Sequence, residues 1–82
     1  MIVGRDSVSP VSFDGLHIYD YTAGLEASSS LAVVKVPPGA RHKMAYSTRS
    51  DKYYYLMEGR IQFTVDGEEH RLNPADFCLV KC

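Results

Sequence analysis

The stretch that decides the fold is YLMEGRIQFTVDGE, which runs from Tyr55 to Glu68. It begins with aromatic and apolar residues, which favour pleated strands, and Glu58-Gly59 then predicts a turn. Apolar residues alternate with polar ones over Ile61–Val65, as in a strand with one buried face. Asp66-Gly67 is a strong hairpin signal. The stretch therefore predicts two strands and the turn that leads into a third.

Strand signals dominate on both sides of this stretch, and no window shows an apolar repeat at helical spacing. The predicted strands cover residues 16–21, 31–36, 41–46, 52–57, Ile61–Val65 and Glu68–Leu72, and a last strand begins at Phe77. Turns are predicted at residues 37–39, 47–51 and 73–76. Short strands with near-regular turns indicate an all-β sandwich or barrel. We expect a single domain over residues 1–82.

Composition limits the function classes. The chain has 82 residues, of which 45% are hydrophobic and 23% charged, and its formal net charge is -1. This charge argues against nucleic acid as a partner, because phosphate binding needs a basic face. No apolar stretch is long enough to cross a membrane, and the first residues lack the features of a signal peptide. We therefore expect a cytoplasmic protein that has neither a nucleic acid nor a membrane as partner.

Residues 36–80 carry a family resemblance. Pro37-Pro38-Gly39, the segment from Tyr55 to Gly59, Asp66-Gly67-Glu68 and the turn at residues 72–76 together resemble the first motif of the cupin superfamily and the hairpin after it. The resemblance implies a jelly-roll β-sandwich or barrel. Ala75 stands where the family usually has glycine.

The same resemblance locates the positions of the family's metal ligands. Metal-binding cupins resemble G-x5-H-x-H-x4-E-x6-G. When Gly39 and Gly59 are laid on the two glycines, Ala45 and Ser47 fall at the histidine positions and Lys52 at the glutamate position. None is a normal ligand for a divalent metal, and the lysine ammonium would repel the cation. The resemblance therefore implies a cupin with no conventional metal site and no cofactor.

An unconventional metal site remains an alternative at this point. Asp51 lies one residue from the glutamate position, although a shift of one residue points a strand side chain to the other face. His17, His42 and His70 could meet in the fold, but we expect His17 and His70 to be exposed. The cysteines give no zinc signature, and we expect Cys78 to be buried and Cys82 to be a reduced thiol.

The end of the chain suggests an assembly. The family's second motif, which supplies a further histidine, would follow the turn at residues 73–76, whereas the sequence stops at Cys82. Either the jelly roll is incomplete at its C-terminus or another chain completes it. Unpaired strand edges invite pairing with a second copy, and strand exchange is a low-cost route to a dimer. We therefore expect a homodimer, with strand exchange as one possible form.

Two groups of site residues follow from the alternation of the central strand. Ala45, Ser47, Lys52 and Tyr54 are predicted to face the barrel interior, where they would bind a small polar or anionic ligand. Tyr53, Tyr55 and Met57 are predicted on the opposite face. Tyrosine suits interfaces because it combines apolar area with a hydrogen-bonding tip. These three residues are therefore interface candidates, with core packing as the alternative.

Two functions are compatible with these residues. The first is a metal-free, cupin-like module for small-molecule binding or dimerisation. The second is a small cupin enzyme, an isomerase or lyase on a small polar substrate, that uses Lys52 or an unconventional metal site. A buried lysine can serve as a base or as a Schiff-base nucleophile. The sequence identifies no catalytic residue beyond this candidate.

Overall fold

The computed structural model describes residues 1–39, 50–65 and 67–81, which fall in two compact units, Met1–His42 and Lys43–Cys82. The all-β fold class is confirmed, because the described residues form strands and one 3-10 turn. None of their helical segments is long and apolar enough to cross a membrane. The elements are η1 (Arg5–Ser7), β1 (Val11–Phe13), β2 (Leu16–Asp20), β3 (Ala32–Lys35), β4 (Lys52–Tyr55), β5 (Ile61–Val65), β6 (Glu68–Leu72) and β7 (Phe77–Val80).

The first unit contains a three-stranded antiparallel sheet in the order β1-β2-β3. A two-residue turn at Asp14 and Gly15 joins β1 to β2, and both residues have positive φ, 52° and 81°. A type I′ turn requires positive φ at both central positions, and Asp-Gly satisfies this with little strain. Strand β1 was not predicted, because three residues give almost no periodic signal, although Asp14-Gly15 is the same dipeptide that predicts a hairpin at residues 66–67.

The connection between β2 and β3 is closed at its base by hydrogen bonds. The Asp20 carboxylate accepts bonds from the Thr22 amide at 2.9 Å and from the Thr22 hydroxyl at 2.8 Å. The hydroxyl oxygen of Thr22 in turn accepts a bond from the Leu31 amide at 3.1 Å. These bonds to the ionised carboxylate, the one from the Thr22 side chain first, hold the pKa of Asp20 below its ordinary value of 3.8.

The second unit contains two antiparallel pairs, β4 with β7 and β5 with β6. The predicted strand over residues 52–57 ends earlier, at Tyr55, because Leu56 bonds to a turn instead of to a strand. Its amide donates to the Asp76 carbonyl oxygen at 3.1 Å, and its carbonyl oxygen accepts from the Ala75 amide at 2.8 Å. Ala75 has a φ of 72°, which is the left-handed region where a glycine would be unstrained.

The small core of the described residues is apolar. Leu16 is buried in the first unit, and Leu56, Leu72 and Val80 are buried in the second. The other predicted strands agree with the structure to within one residue at each end, whereas the one predicted at residues 41–46 lies outside the described residues. Cys78 was predicted to be buried but is only half-buried, since it lies on a two-stranded pair.

Candidate functional site

The two sides of β4 differ in exposure. Successive strand residues point to opposite faces. Lys52 and Tyr54 are half-buried on one side, and Leu56, at 8% exposure, follows them. On the other side Tyr53, Tyr55 and Met57 are 70%, 63% and 60% exposed. The structure therefore separates the predicted interior residues of β4 from the predicted interface residues by exposure.

Strand β7 continues the exposed side. Its residues Phe77 and Leu79 lie opposite Tyr55 and Tyr53 in the register, and they are 56% and 42% exposed. The Tyr53 and Phe77 rings stack with their centroids 5.7 Å apart. We call this surface the aromatic face; its members are Tyr53, Tyr55, Met57, Phe77 and Leu79.

The opposite side of the pair is partly covered by β5. The Tyr54 ring packs on the Phe63 ring, with centroids 5.0 Å apart and planes tilted by 56°. Burial raises the pKa of the Tyr54 phenol above its ordinary value, and the charge of Cys78 adds to the shift. The phenol therefore stays protonated to higher pH and remains a hydrogen-bond donor. Together with the Lys52 ammonium it can bind a polar or anionic group.

Two of the four residues predicted to face the barrel interior belong to the described part of the chain. Lys52 and Tyr54 lie on the same side of β4, whereas Ala45 and Ser47 lie outside the described residues. Lys52 is half-buried next to Tyr54 and opposite Val80 in the register. The structure thus puts two of the four predicted residues side by side.

The residues at the family's metal-ligand positions do not fit a metal ion. Lys52 carries an ammonium group, and Ala45 and Ser47 supply no imidazole. The alternative ligand Asp51 accepts a hydrogen bond from Lys81 at 3.1 Å. Within residues 1–39, 50–65 and 67–81, no three His, Cys, Asp or Glu side chains cluster as a metal site would require.

Two of the three histidines lie in the described part of the chain. His17 is exposed on β2, as expected. His70 is exposed on β6, as expected, and its Nε2 atom lies 3.6 Å from a carboxylate oxygen of Glu68. His42 lies outside the described residues.

Each unit also has an open depression that the sequence did not predict. One, of about 280 Å³, lies in the first unit beside η1 and the base of the β2–β3 loop. The other, of about 460 Å³, lies between β6 and β7, where His70, Arg71 and Asp76 contribute its polar groups. Neither is lined by Lys52 or Tyr54. No sequence motif marks these depressions, because segments that are separate in the sequence form each of them.

One of the comparisons with known proteins agrees with the family resemblance of the sequence. A family model described as a cupin domain matches residues 32–82. Neither the curated proteins nor the solved structures give a match. The family match includes β3 to β7, so it contains the aromatic face and the half-buried side of β4. Because the match covers more than half of the 82 residues and the described elements are strands, the chain belongs to the cupin family.

Proposed function

We propose that this chain is a metal-independent cupin module that binds a small polar or anionic molecule and forms a homodimer. The observation that carries the proposal is the aromatic face of the pair β4–β7, which consists of apolar and aromatic side chains although it is exposed. An antiparallel sheet with one solvated face normally alternates between apolar and polar residues. The aromatic face lacks the polar residues that this alternation would place on a solvated side. It is therefore suited to being covered by another surface.

A second copy of the chain is the occupant that we propose for the aromatic face. Its five side chains expose on the order of 500 Å², given typical aromatic side-chain areas, whereas a stable interface buries about 800 Å² on each partner. Strand edges can supply the remainder. In the described part of the chain β4 and β7 form a two-stranded sheet, so each is an edge strand there. Edge strands favour pairing or strand exchange between copies.

Light scattering of the purified chain tests the dimer. We expect the mass of two chains for the wild type and of one chain for Tyr55→Lys, because a charge in the centre of the aromatic face would be desolvated on association. Thr64→Lys is the matched control, because Thr64 is exposed on β5, outside this face, and it should remain dimeric. Leu79→Lys is a second disrupting variant should Tyr55→Lys not fold. A monomeric wild type would overturn the dimer.

The ligand is proposed to lie on the half-buried side of β4. Lys52 and Tyr54 offer an ammonium and a protonated phenol there, and such donors match a carboxylate, phosphate or polar group. The cupin family match supports a small-molecule-binding module in general terms.

Native mass spectrometry of gently purified protein tests the ligand. We expect a retained small molecule in the wild type, its loss in Lys52→Met, and its retention in Lys81→Met, the matched lysine outside this side of the strand. Retention by Lys52→Met would contradict the assigned position.

Metal independence is tested separately by elemental analysis. We expect well below one equivalent of metal per chain in protein purified without chelators. Metal independence would be overturned if the protein held about one equivalent of a divalent metal and a chelator that removed this metal also caused loss of the fold or of the ligand.

A further inference from the structure

A second surface with the chemistry of a ligand site lies in the first unit, on the face of the three-stranded sheet that carries Tyr19. The register places Ser12, His17 and Lys35 in one row across β1, β2 and β3. Tyr19 lies two residues further along β2, on the same side as His17. This face therefore carries a hydroxyl, an imidazole, a phenol and an ammonium.

Two cations converge on the Tyr19 ring. The guanidinium carbon of Arg5 lies 4.2 Å from the ring centroid, and the Nζ atom of Lys35 lies 5.5 Å from it. The two charges are therefore closer to each other than about 10 Å, the screening length in 0.1 M salt. They repel each other at this distance, and a bound anion would reduce that repulsion.

Local hydrogen bonds hold the backbone at Arg5. This residue begins η1, in which the Ser7 amide and hydroxyl both donate to the Gly4 carbonyl oxygen, at 3.1 and 2.8 Å. The Val8 amide donates to the Arg5 carbonyl oxygen at 3.3 Å. The guanidinium carbon lies over the Tyr19 ring, and contact with an aromatic face leaves N–H donors of an arginine available to a further partner. Arg5 can therefore donate to a planar or tetrahedral oxyanion.

The surrounding charge also favours an anion. Among the described residues no carboxylate forms an ion pair with Arg5 or Lys35. Asp20, which belongs to the same sheet, lies in the row after Tyr19 and therefore points to the opposite side. Its carboxylate is engaged by Thr22. A negative ligand would therefore find donors and no competing carboxylate in the strands of this face.

We propose that Arg5, Lys35 and His17, arranged around Tyr19, form a binding site for a doubly charged oxyanion, namely a phosphate group or a dicarboxylate. The site is distinct from the half-buried side of β4, since all of its residues belong to the first unit. Arg5 and Tyr19 precede residues 32–82, the part of the chain that matches the cupin model. Arg5, His17 and Tyr19 therefore lie outside the family match, whereas Lys35 lies inside it.

Titration of isotope-labelled protein followed by amide NMR shifts tests the proposal, with inorganic phosphate and succinate as separate probes at constant ionic strength. We expect saturable shifts at His17, Tyr19 and Lys35 with millimolar affinity. Arg5→Gln should weaken binding by about tenfold, because it removes a charge-assisted donor. Arg60→Gln is the matched control, an exposed arginine of the second unit, and should bind as the wild type does. Tighter binding of phosphate than of succinate would assign a phosphorylated ligand, and the reverse a dicarboxylate.

Two further variants keep the test decisive. Lys35→Gln replaces Arg5→Gln if that variant does not fold, as judged by circular dichroism. Tyr19→Leu keeps both cations but removes the surface that holds the guanidinium, and it should also weaken binding. Shifts that do not saturate with either probe, or that are equal in the wild type and Arg5→Gln, would overturn the site and leave only contacts that stabilise Tyr19. Because the probes report on the first unit, a negative result would leave the proposed dimer and the Lys52 ligand site standing.

Discussion

The three-stranded sheet and the β4–β7 pair use their two faces in different ways. In β2 the apolar Leu16 and Ile18 alternate with His17 and Tyr19, so one face is apolar and the other carries polar groups. In the β4–β7 pair the apolar and aromatic residues of the aromatic face are exposed, and the opposite face is half-buried with Lys52 as its charged residue. Alternation is typical of an antiparallel sheet with one solvated face, whereas continuous apolar sequence is typical of a sheet covered on both. This difference is the reason why we propose a small ligand for the first surface and a second copy of the chain for the second.

The largest expected effect is a difference in stability between substitutions of Leu56 and Met57, which continue the buried and the exposed side of β4. Leu56→Ala should lower the free energy of unfolding by about 3 kcal/mol, because it leaves a cavity beside a buried chain. Met57→Ala, one residue further, should lower it by less than about 0.5 kcal/mol in dilute protein, where the proposed dimer dissociates. Urea unfolding of both variants measures the difference. Equal losses would contradict the distinction between a buried and an exposed side.

The next effect concerns the turn that aligns the three-stranded sheet. Gly15→Val should lower the free energy of unfolding by about 2 kcal/mol, because a β-branched residue is strained at positive φ. Gly4→Val is the matched control, since Gly4 has a φ of -76° and open space around it, and should be nearly neutral. Urea unfolding checks both. A neutral Gly15→Val would mean that the turn does not hold the register of β1.

A smaller effect of opposite sign is expected in the turn that caps the β4–β7 pair. Ala75→Gly should raise the free energy of unfolding by roughly 0.5 to 1 kcal/mol, because glycine removes the strain of the left-handed backbone. The same change in a strand, Ala32→Gly, should lower it by a similar amount. Thermal or urea unfolding would show the two shifts. If both variants are destabilised, Ala75 is not strained in the folded chain.

The smallest effect is a titration in the first unit. Thr22→Val should raise the pKa of Asp20 towards 3.8, because it removes the larger of the hydrogen bonds that lower it. Since the folded pKa is depressed, the contribution to stability is complete above 3.8 and is lost as the pH falls through the lowered value. Carbon NMR of the carboxyl group measures the pKa. Thr22→Ser, which keeps a hydroxyl, should titrate as the wild type does.

The fold was predictable from the sequence to the extent that local chemistry determined it. The alternation over Ile61–Val65 and the tyrosines of β4 predicted strands that the structure contains. Strand β1 was missed because three residues give almost no periodic signal, although Asp14-Gly15 is a hairpin dipeptide. The end of β4 was placed two residues late, since a turn distant in sequence takes the hydrogen bonds of Leu56.

The candidate sites were predictable only where one strand carries them. Alternation alone predicted that Tyr53, Tyr55 and Met57 share one face, and Phe77 and Leu79 join that face only through the β4–β7 register. The convergence of Arg5 and Lys35 on Tyr19 was not foreseen, because it joins η1 with two strands and no short motif encodes it. Long-range pairing, which the sequence does not specify directly, therefore determines the composition of both surfaces.

The two connections of the three-stranded sheet also differ in how they would respond to inserted residues. The turn at Asp14 and Gly15 fixes the pairing of Phe13 with Leu16, so one extra residue there would exchange the faces of β1. The longer β2–β3 connection is closed at its base by Asp20 and Thr22, and its tip is exposed. A peptide tag or a fluorescent label is therefore best introduced at residues 26–29, where added length changes neither the register nor the face that any strand presents.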